Sequence, residues 1–149
     1  MKLLRIEHSP GYPLLVPISK DYWKLISDYT IRIHTDCGVM QLTLKPGWIT
    51  DKRSGSSAFD WAIPKEGSMD QLALVCFHDG CYSGWVPRYL ADDILYQGWL
   101  MTGIDDKISY CAYVTVRSVG WLGYYDLDDT MKHPYKLNRM YEHYWWKDK

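Results

Sequence analysis

The strongest constraint on the fold is a change of pattern near residue 46 of the 149-residue chain. Before it, residues 29–35 alternate apolar and polar side chains, residues 36–38 are typical of a turn, and residues 39–45 continue as a strand. This pattern predicts a β-hairpin. Residues 3–6 and 14–18 are weaker strand candidates, because nearby prolines restrict their length. After the hairpin the apolar residues follow helical spacing instead.

The first predicted helix has a clear start signal. Ser68 and Gln71 form a capping box, in which each side chain pairs with the other residue's backbone N–H. The helix is therefore expected to begin near Met69. Gly80 and Gly84 are expected to stop it or bend it.

Two further helices are predicted. Pro87 suits the first position of the second helix, and Gly103 suits its C-terminal cap. The third helix is predicted over residues 108–119. Its small and apolar residues predict heavy burial; they are Cys111, Ala112, Val114 and Val116.

The predicted fold class is therefore α+β. An N-terminal antiparallel hairpin or small sheet precedes a three-helix C-terminal half, followed by an aromatic tail over residues 124–149. The tail lacks clear periodicity and is expected to wrap the domain or dock on a partner. The length is that of one domain, residues 1–149.

Composition narrows the classes of function. The formal net charge is −1, which argues against nucleic-acid binding through a general positive field. No apolar run approaches the roughly 20 residues of a membrane-spanning helix.

The four cysteines are expected to be reduced, and their spacing does not indicate zinc. Thirteen Tyr and eight Trp suit a protein interface or a sugar-stacking surface, although a core and surface rich in tyrosine would need them equally.

The candidate functional centre is the segment His78-Asp79-Gly80-Cys81-Tyr82 at the end of the first helix. Tyr82 follows His78 by four residues and shares its face if the helix persists. If the first two helices are antiparallel neighbours, Asp92 or Asp93 would face His78. Such a carboxylate would orient the imidazole as a general base, giving His78, Asp92 and Tyr82 as candidate catalytic residues.

A structural alternative stays open for the same residues. A histidine at a helix end commonly hydrogen-bonds backbone carbonyls and interacts with the helix dipole. Asp92 is equally able to pair with Arg88 or to stay solvated. A buried network of this kind would lock the helices together.

A metal site is a further hypothesis. Asp51, in the polar loop over residues 50–57, and Asp79 are candidate oxygen ligands for Ca²⁺ or Mg²⁺. The cofactor is otherwise unknown, with a divalent cation as the only candidate.

Several motifs in order along the chain resemble a family of uncharacterised domains found mainly in tailed phages and prophages. The motifs are Lys45-Pro46-Gly47-Trp48-Ile49-Thr50-Asp51-x-x-Ser54, Trp61-Ala62-Ile63-Pro64, His78-Asp79-x-x-Tyr82, Arg88-x-x-Ala91-Asp92 and Val116-Arg117. They cover about residues 29–121. Trp48 stands where the family usually has Phe, and Lys52-Arg53 replaces its small Gly-Ala pair. The resemblance implies phage origin.

A second, local resemblance is to secreted phospholipase A2. His78-Asp79-x-Cys81-Tyr82 is similar to that family's His-Asp-x-Cys-Tyr helix. The resemblance implies that the histidine is a base, that the adjacent aspartate binds Ca²⁺, and that a second helix supplies an orienting Asp. The family's glycine-rich calcium loop and dense disulfides are absent from this sequence.

Two functions are therefore expected. The first is a phage-encoded module, virion-associated or bound to a host factor, with a protein partner or as a homo-oligomer. The second is a His/Asp-dependent hydrolase of an ester or amide in the host envelope, metal-assisted if Asp51 and Asp79 bind a cation. Whether the protein is an enzyme is left open. The expected location is the host cytoplasm or the virion.

Overall fold

The structure is a computed structural model that describes residues 1–20, 22–50, 68–82, 86–119 and 141–146. Within these ranges six strands precede three helices, and one strand follows them. The strands are β1 (Leu3–His8), β2 (Leu15–Pro17), β3 (Trp23–Leu25), β4 (Tyr29–Thr35), β5 (Gly38–Leu44), β6 (Ile49–Thr50) and β7 (Tyr141–Trp146); the helices are α1 (Met69–Gly80), α2 (Arg88–Met101) and α3 (Asp106–Val119). The predicted α+β class is confirmed.

The main sheet is built around the predicted hairpin of β4 and β5. Its four antiparallel strands run in the order β1-β4-β5-β7. Buried and exposed side chains alternate along β4. Ile31 and Ile33 are fully buried, whereas Arg32 between them is exposed. Since neighbouring residues of a strand point to opposite sides, one face of the sheet packs on the helices.

A second, smaller sheet positions one end of the functional region. It is antiparallel in the order β2-β3-β6, and Trp23 pairs with Thr50. The weak prediction over residues 14–18 is confirmed by β2, but β3 and β6 lie outside every predicted strand. They are three and two residues long, too short to carry a periodic signal of their own.

The capping box of α1 is present as predicted. Ser68 Oγ accepts from the N–H of Gln71, and the Gln71 side chain accepts from the N–H of Ser68. The helix ends at Gly80 and continues through Cys81 and Tyr82 as a π-helical turn. That continuation keeps Tyr82 close to the face that carries His78.

Helix α2 differs slightly from its prediction. Pro87 is the cap residue before the helix, so Arg88 takes the first helical position. At the other end, Gly103 follows the cap Thr102 with φ of +90°, a conformation that favours glycine and ends the helix. The predicted C-terminal glycine is thus confirmed.

Two expectations about α3 are wrong. The helix begins two residues earlier than predicted, because the Asp105 carboxylate accepts from the N–H groups of Lys107 and Ile108 and so caps it. Heavy burial holds for Ala112 and Val116 only. Cys111 is exposed and Val114 is 42% exposed, since α3 packs along one face.

Helices α1 and α2 are antiparallel neighbours at close range. Leu74 meets Gly98 near one end of the contact, and His78 meets Asp92 near the other. A Cβ at Gly98 would lie 2.3 Å from Leu74 Cδ2, so the glycine permits this approach. The core between helices and main sheet includes Ile31, Leu42, Leu74, Phe77, Ile94 and Trp99.

Part of the aromatic tail is ordered sheet. Residues 141–146 form β7, which pairs with β5, although the sequence predicted no regular element there. The rest of the tail lies outside the described residues, as does the loop over residues 51–57. Among the described helices, none combines the length and apolar character needed to cross a bilayer.

Candidate functional site

Three helices converge on the predicted centre. His78 and Tyr82 come from α1 and its π-helical turn, Asp92 from α2, and Arg117 from the last turn of α3. Asp79 points about 100° around the helix axis from His78 and meets β6 instead. The structure therefore brings His78, Tyr82 and Asp92 together as one cluster and places Asp79 beside it.

His78 and Asp92 form a buried pair. His78 Nε2 lies 2.9 Å from Asp92 Oδ1, and the side chains are 6% and 0% exposed, respectively. Because a carboxylate only accepts, Nε2 carries the proton and donates it to Asp92. In the neutral ring, the lone pair is then on Nδ1.

Asp92 accepts hydrogen bonds at both carboxylate oxygens. The Tyr82 hydroxyl donates to Oδ1, beside the His78 bond. Arg117 Nη1 donates to Oδ2 at 2.9 Å, and Arg88 Nη1 lies 3.5 Å from the same oxygen. The carboxylate thus links α1, α2 and α3 through charged and neutral donors.

Arg88 also hydrogen-bonds the C-terminal end of α3. Its Nη1 donates to the carbonyl oxygens of Val116 and Arg117 at 3.2 and 3.0 Å. These carbonyls lie in the last turn of α3, where backbone acceptors lack helical partners and a cation is favourable. The anticipated Arg88–Asp92 pair is therefore present, together with a cap on α3.

The electrostatics of the pair follow from its neighbours. Burial alone would raise the pKa of Asp92, but hydrogen bonds from His78, Tyr82 and Arg117 hold it below its ordinary value. Burial alone would lower the pKa of His78, but the carboxylates of Asp79 and Asp92 raise it above 6.5. Burial, followed by the bond to Asp92, raises the pKa of the Tyr82 hydroxyl.

The second ring nitrogen of His78 differs from the first. Nδ1 is buried, and it makes no hydrogen bond within the described part of the chain. Asp79 Oδ1 lies 4.0 Å from it, beyond hydrogen-bond range. Buried polar atoms are usually satisfied, so an unsatisfied one calls for a reason such as catalysis or a bound water.

Asp79 is held on the side facing β6. Its Oδ2 accepts from Thr50 Oγ1 at 2.6 Å. Thr50 is buried, whereas the Asp79 side chain is 21% exposed. The contact fixes the carboxylate and leaves Oδ1 toward His78.

The remaining predicted residues do not join this cluster. Asp93, the alternative to Asp92, accepts from Gln97 one helical turn along. Asp51 lies outside the described residues, so its pairing with Asp79 stays a prediction. Within residues 1–50, 68–82, 86–119 and 141–146, apart from residue 21, no three His, Cys, Asp or Glu side chains are grouped to hold a metal ion.

Thr50 and Arg117 had no role assigned from sequence. Both lie inside the quoted motifs, at Thr50-Asp51 and Val116-Arg117, and that placement was the only available signal. Their contacts join residues 29 and 25 positions apart, which no local pattern encodes.

No protein-family model, curated protein or solved structure matches this chain.

Proposed function

We propose that the protein is a hydrolase in which His78 acts as general base and Asp92 orients its ring. The observation that carries this proposal is the asymmetry of the imidazole. Nε2 is held by a buried carboxylate, while Nδ1 is buried without a hydrogen-bond partner among the described residues. A base needs such a free lone pair, and a fixed tautomer keeps it on one atom.

The reaction class is hydrolysis of an ester or amide. Nδ1 takes a proton from water as the water oxygen bonds to the carbonyl carbon. When the tetrahedral intermediate collapses, the carbon–leaving-group bond breaks and the leaving group takes that proton from Nδ1. Asp92 stabilises the transient imidazolium, and Tyr82, Arg88 and Arg117 hold Asp92 in place.

The test is ester hydrolysis by the full chain. Wild type and His78→Ala are compared on p-nitrophenyl acetate, p-nitrophenyl butyrate and an acyl p-nitroanilide. We expect His78→Ala to lower kcat by about 100-fold or more on at least one probe. His34→Ala is the matched control, because His34 lies on the main sheet and pairs with Glu7; its rate should equal wild type. Equal rates for His78→Ala and wild type on all three probes would overturn the proposal.

A second candidate function rests on surface composition. Several large aromatic side chains are exposed: Tyr89, Tyr110, Tyr144 and Trp145, at 62, 58, 58 and 42%. Tyr and Trp are enriched where proteins bind one another. With the resemblance to phage domains, this supports a phage-encoded module that is virion-associated or binds a host factor, located in the virion or the host cytoplasm.

The two functions are separable by experiment. In the binding function, the His78–Asp92 pair only locks the helices, so His78→Ala would lower Tm yet keep partner binding once folded. Mass spectrometry of purified particles tests the virion location. Detection at a stoichiometry comparable to known virion proteins would support it, and absence from the particles would refute it.

A further inference from the structure

We infer that Asp79, fixed by Thr50, is a positioning residue that orients the attacking water at His78. The inference rests on the proposed hydrolase function and deepens it. It assigns Asp79 a role other than the metal ligand expected from sequence, and it gives Thr50 a role that the motifs alone did not indicate.

The separation of the two atoms matches a water bridge. His78 Nδ1 and Asp79 Oδ1 are 4.0 Å apart, too far for a direct hydrogen bond. Two hydrogen bonds of about 2.8 Å that meet at a roughly right angle span this gap. The distance is therefore that of two acceptors bridged by one water, with both of its protons directed at them.

Both atoms that face the gap are hydrogen-bond acceptors. A water between these atoms donates one O–H to Nδ1 and the other to Asp79 Oδ1. Its lone pairs then point away from both acceptors, toward an incoming carbonyl carbon. On attack, the first proton moves to Nδ1 and the second stays hydrogen-bonded to Asp79, so Asp79 orients the water without taking its proton.

Thr50 holds the Asp79 carboxylate in place. Thr50 Oγ1 donates to Oδ2 at 2.6 Å, a short bond to a charged acceptor. Thr50 is 3% exposed and paired with Trp23 in the second sheet, so the donor is itself fixed. One carboxylate oxygen is thereby occupied, and the other is aimed at the gap.

The approach to the gap is from the more exposed of the two side chains. The His78 side chain is 6% exposed, whereas that of Asp79 is 21% exposed, and Nδ1 itself is buried. In the proposed arrangement, water and a substrate carbonyl therefore approach from the Asp79 side. Polar partners on both sides are what a bound water requires.

The test compares four variants of the full chain on the p-nitrophenyl ester that wild type hydrolyses fastest. Asp79→Asn replaces one acceptor oxygen of the carboxylate with an amide NH2 group. This group donates a hydrogen bond either to the water or to Thr50. We expect kcat to fall by about 100-fold, the loss typical of a misplaced reacting group, with KM within about twofold of wild type. Asp93→Asn, the carboxylate bonded to Gln97, is the matched control and should retain the wild-type kcat.

Thr50 supplies the sharper comparison. Thr50→Val keeps the shape and removes the hydroxyl, so kcat should fall by about 10-fold because the carboxylate loses its orientation. Thr50→Ser keeps the hydroxyl and should recover most of that loss. A purely structural Thr50 would instead show equal kcat for Val and Ser once both variants are folded, as judged by near-UV circular dichroism.

The outcomes distinguish this inference from the hydrolase proposal. If His78→Ala abolishes hydrolysis while Asp79→Asn and Thr50→Val keep the wild-type kcat, the inference is wrong and the proposed function stands. If EDTA abolishes the wild-type rate and Ca²⁺ or Mg²⁺ restores it, Asp79 is a metal ligand and the inference is again wrong. If His78→Ala is as active as wild type, the hydrolase proposal itself fails.

Discussion

A His-Tyr-Asp cluster lies at each end of helix α1, and the two clusters use the same residue types differently. At the start of the helix, His8 Nε2 lies 2.7 Å from Asp70 Oδ1, and Tyr29 lies beside the ring. At the end, His78 Nε2 lies 2.9 Å from Asp92 Oδ1, with the Tyr82 ring centroid 4.1 Å away. By pairing alone the clusters would be judged equivalent.

The difference is in the second ring nitrogen. His8 Nδ1 lies 2.8 Å from the Ser9 carbonyl oxygen and 3.0 Å from the Tyr29 hydroxyl, so both nitrogens of His8 have hydrogen-bond partners. His78 Nδ1 makes no hydrogen bond within the described residues. The carboxylates also differ, since the Asp70 side chain is 56% exposed and that of Asp92 is 0% exposed. A His–Asp pair thus indicates a base only where burial is combined with an unused nitrogen.

The largest expected difference between the two clusters is in the free energy of unfolding that their carboxylates contribute. Asp92→Asn removes the buried charge shared by His78, Arg88 and Arg117, and should lower the free energy of unfolding by about 3–5 kcal/mol. Asp70→Asn, at an exposed pair, should cost about 1 kcal/mol or less. Urea denaturation of both variants measures this. Equal losses would mean that the two clusters contribute alike to stability.

The free energies of unfolding that the two tyrosines contribute should differ less. Tyr82→Phe removes a hydrogen bond to a charged acceptor and should cost about 1.5–3 kcal/mol. Tyr29→Phe removes a hydroxyl that donates to the neutral carbonyl of Gly11 and lies 3.0 Å from His8 Nδ1, and should cost about 0.5–1.5 kcal/mol. Chemical denaturation of the two single variants tests the order. A larger loss for Tyr29→Phe would contradict the view that Asp92 is the stronger acceptor.

The smallest expected effect is on pH dependence. Because the pKa of His78 is raised on folding above 6.5, its protonation contributes stability that is complete below the unfolded value. That contribution is lost as pH rises through the folded pKa. Wild type should therefore lose more unfolding free energy than His78→Gln between pH 6 and pH 9. Parallel pH profiles for the two proteins would show that the folded pKa is not raised.

Elements with local signals were predicted well. Strand β4 of the hairpin alternates strictly, and the Ser68–Gln71 box is a contact across three residues. The short strands β3 and β6 exist because partners distant in sequence pair with them. Likewise β7 pairs with β5, about 100 residues earlier, and its aromatic run has no period by which to detect it. Burial of Val114 was predicted from residue type, but its exposure depends on which face of α3 meets α2.

In the candidate site, too, residues placed by local sequence signals were predicted, and residues placed by distant contacts were not. His78 and Tyr82 share a face by helical spacing, and Asp92 follows if α1 and α2 are antiparallel neighbours. Thr50 and Arg117 reach the site only through β6 pairing and α3 packing. The choice of Asp92 over Asp93 was also beyond the sequence, because adjacent helical positions differ by about 100° and only packing selects one.

The central claim is that neutral His78 carries its proton on Nε2 and a free lone pair on Nδ1. The most direct measurement is a ¹⁵N NMR spectrum of histidine-labelled protein above the pKa of His78, with the resonances assigned by comparison with His78→Gln. The geometry predicts a protonated Nε2 and an unprotonated Nδ1. A proton on Nδ1 in the neutral ring would contradict the claim, because no basic nitrogen would then face the water.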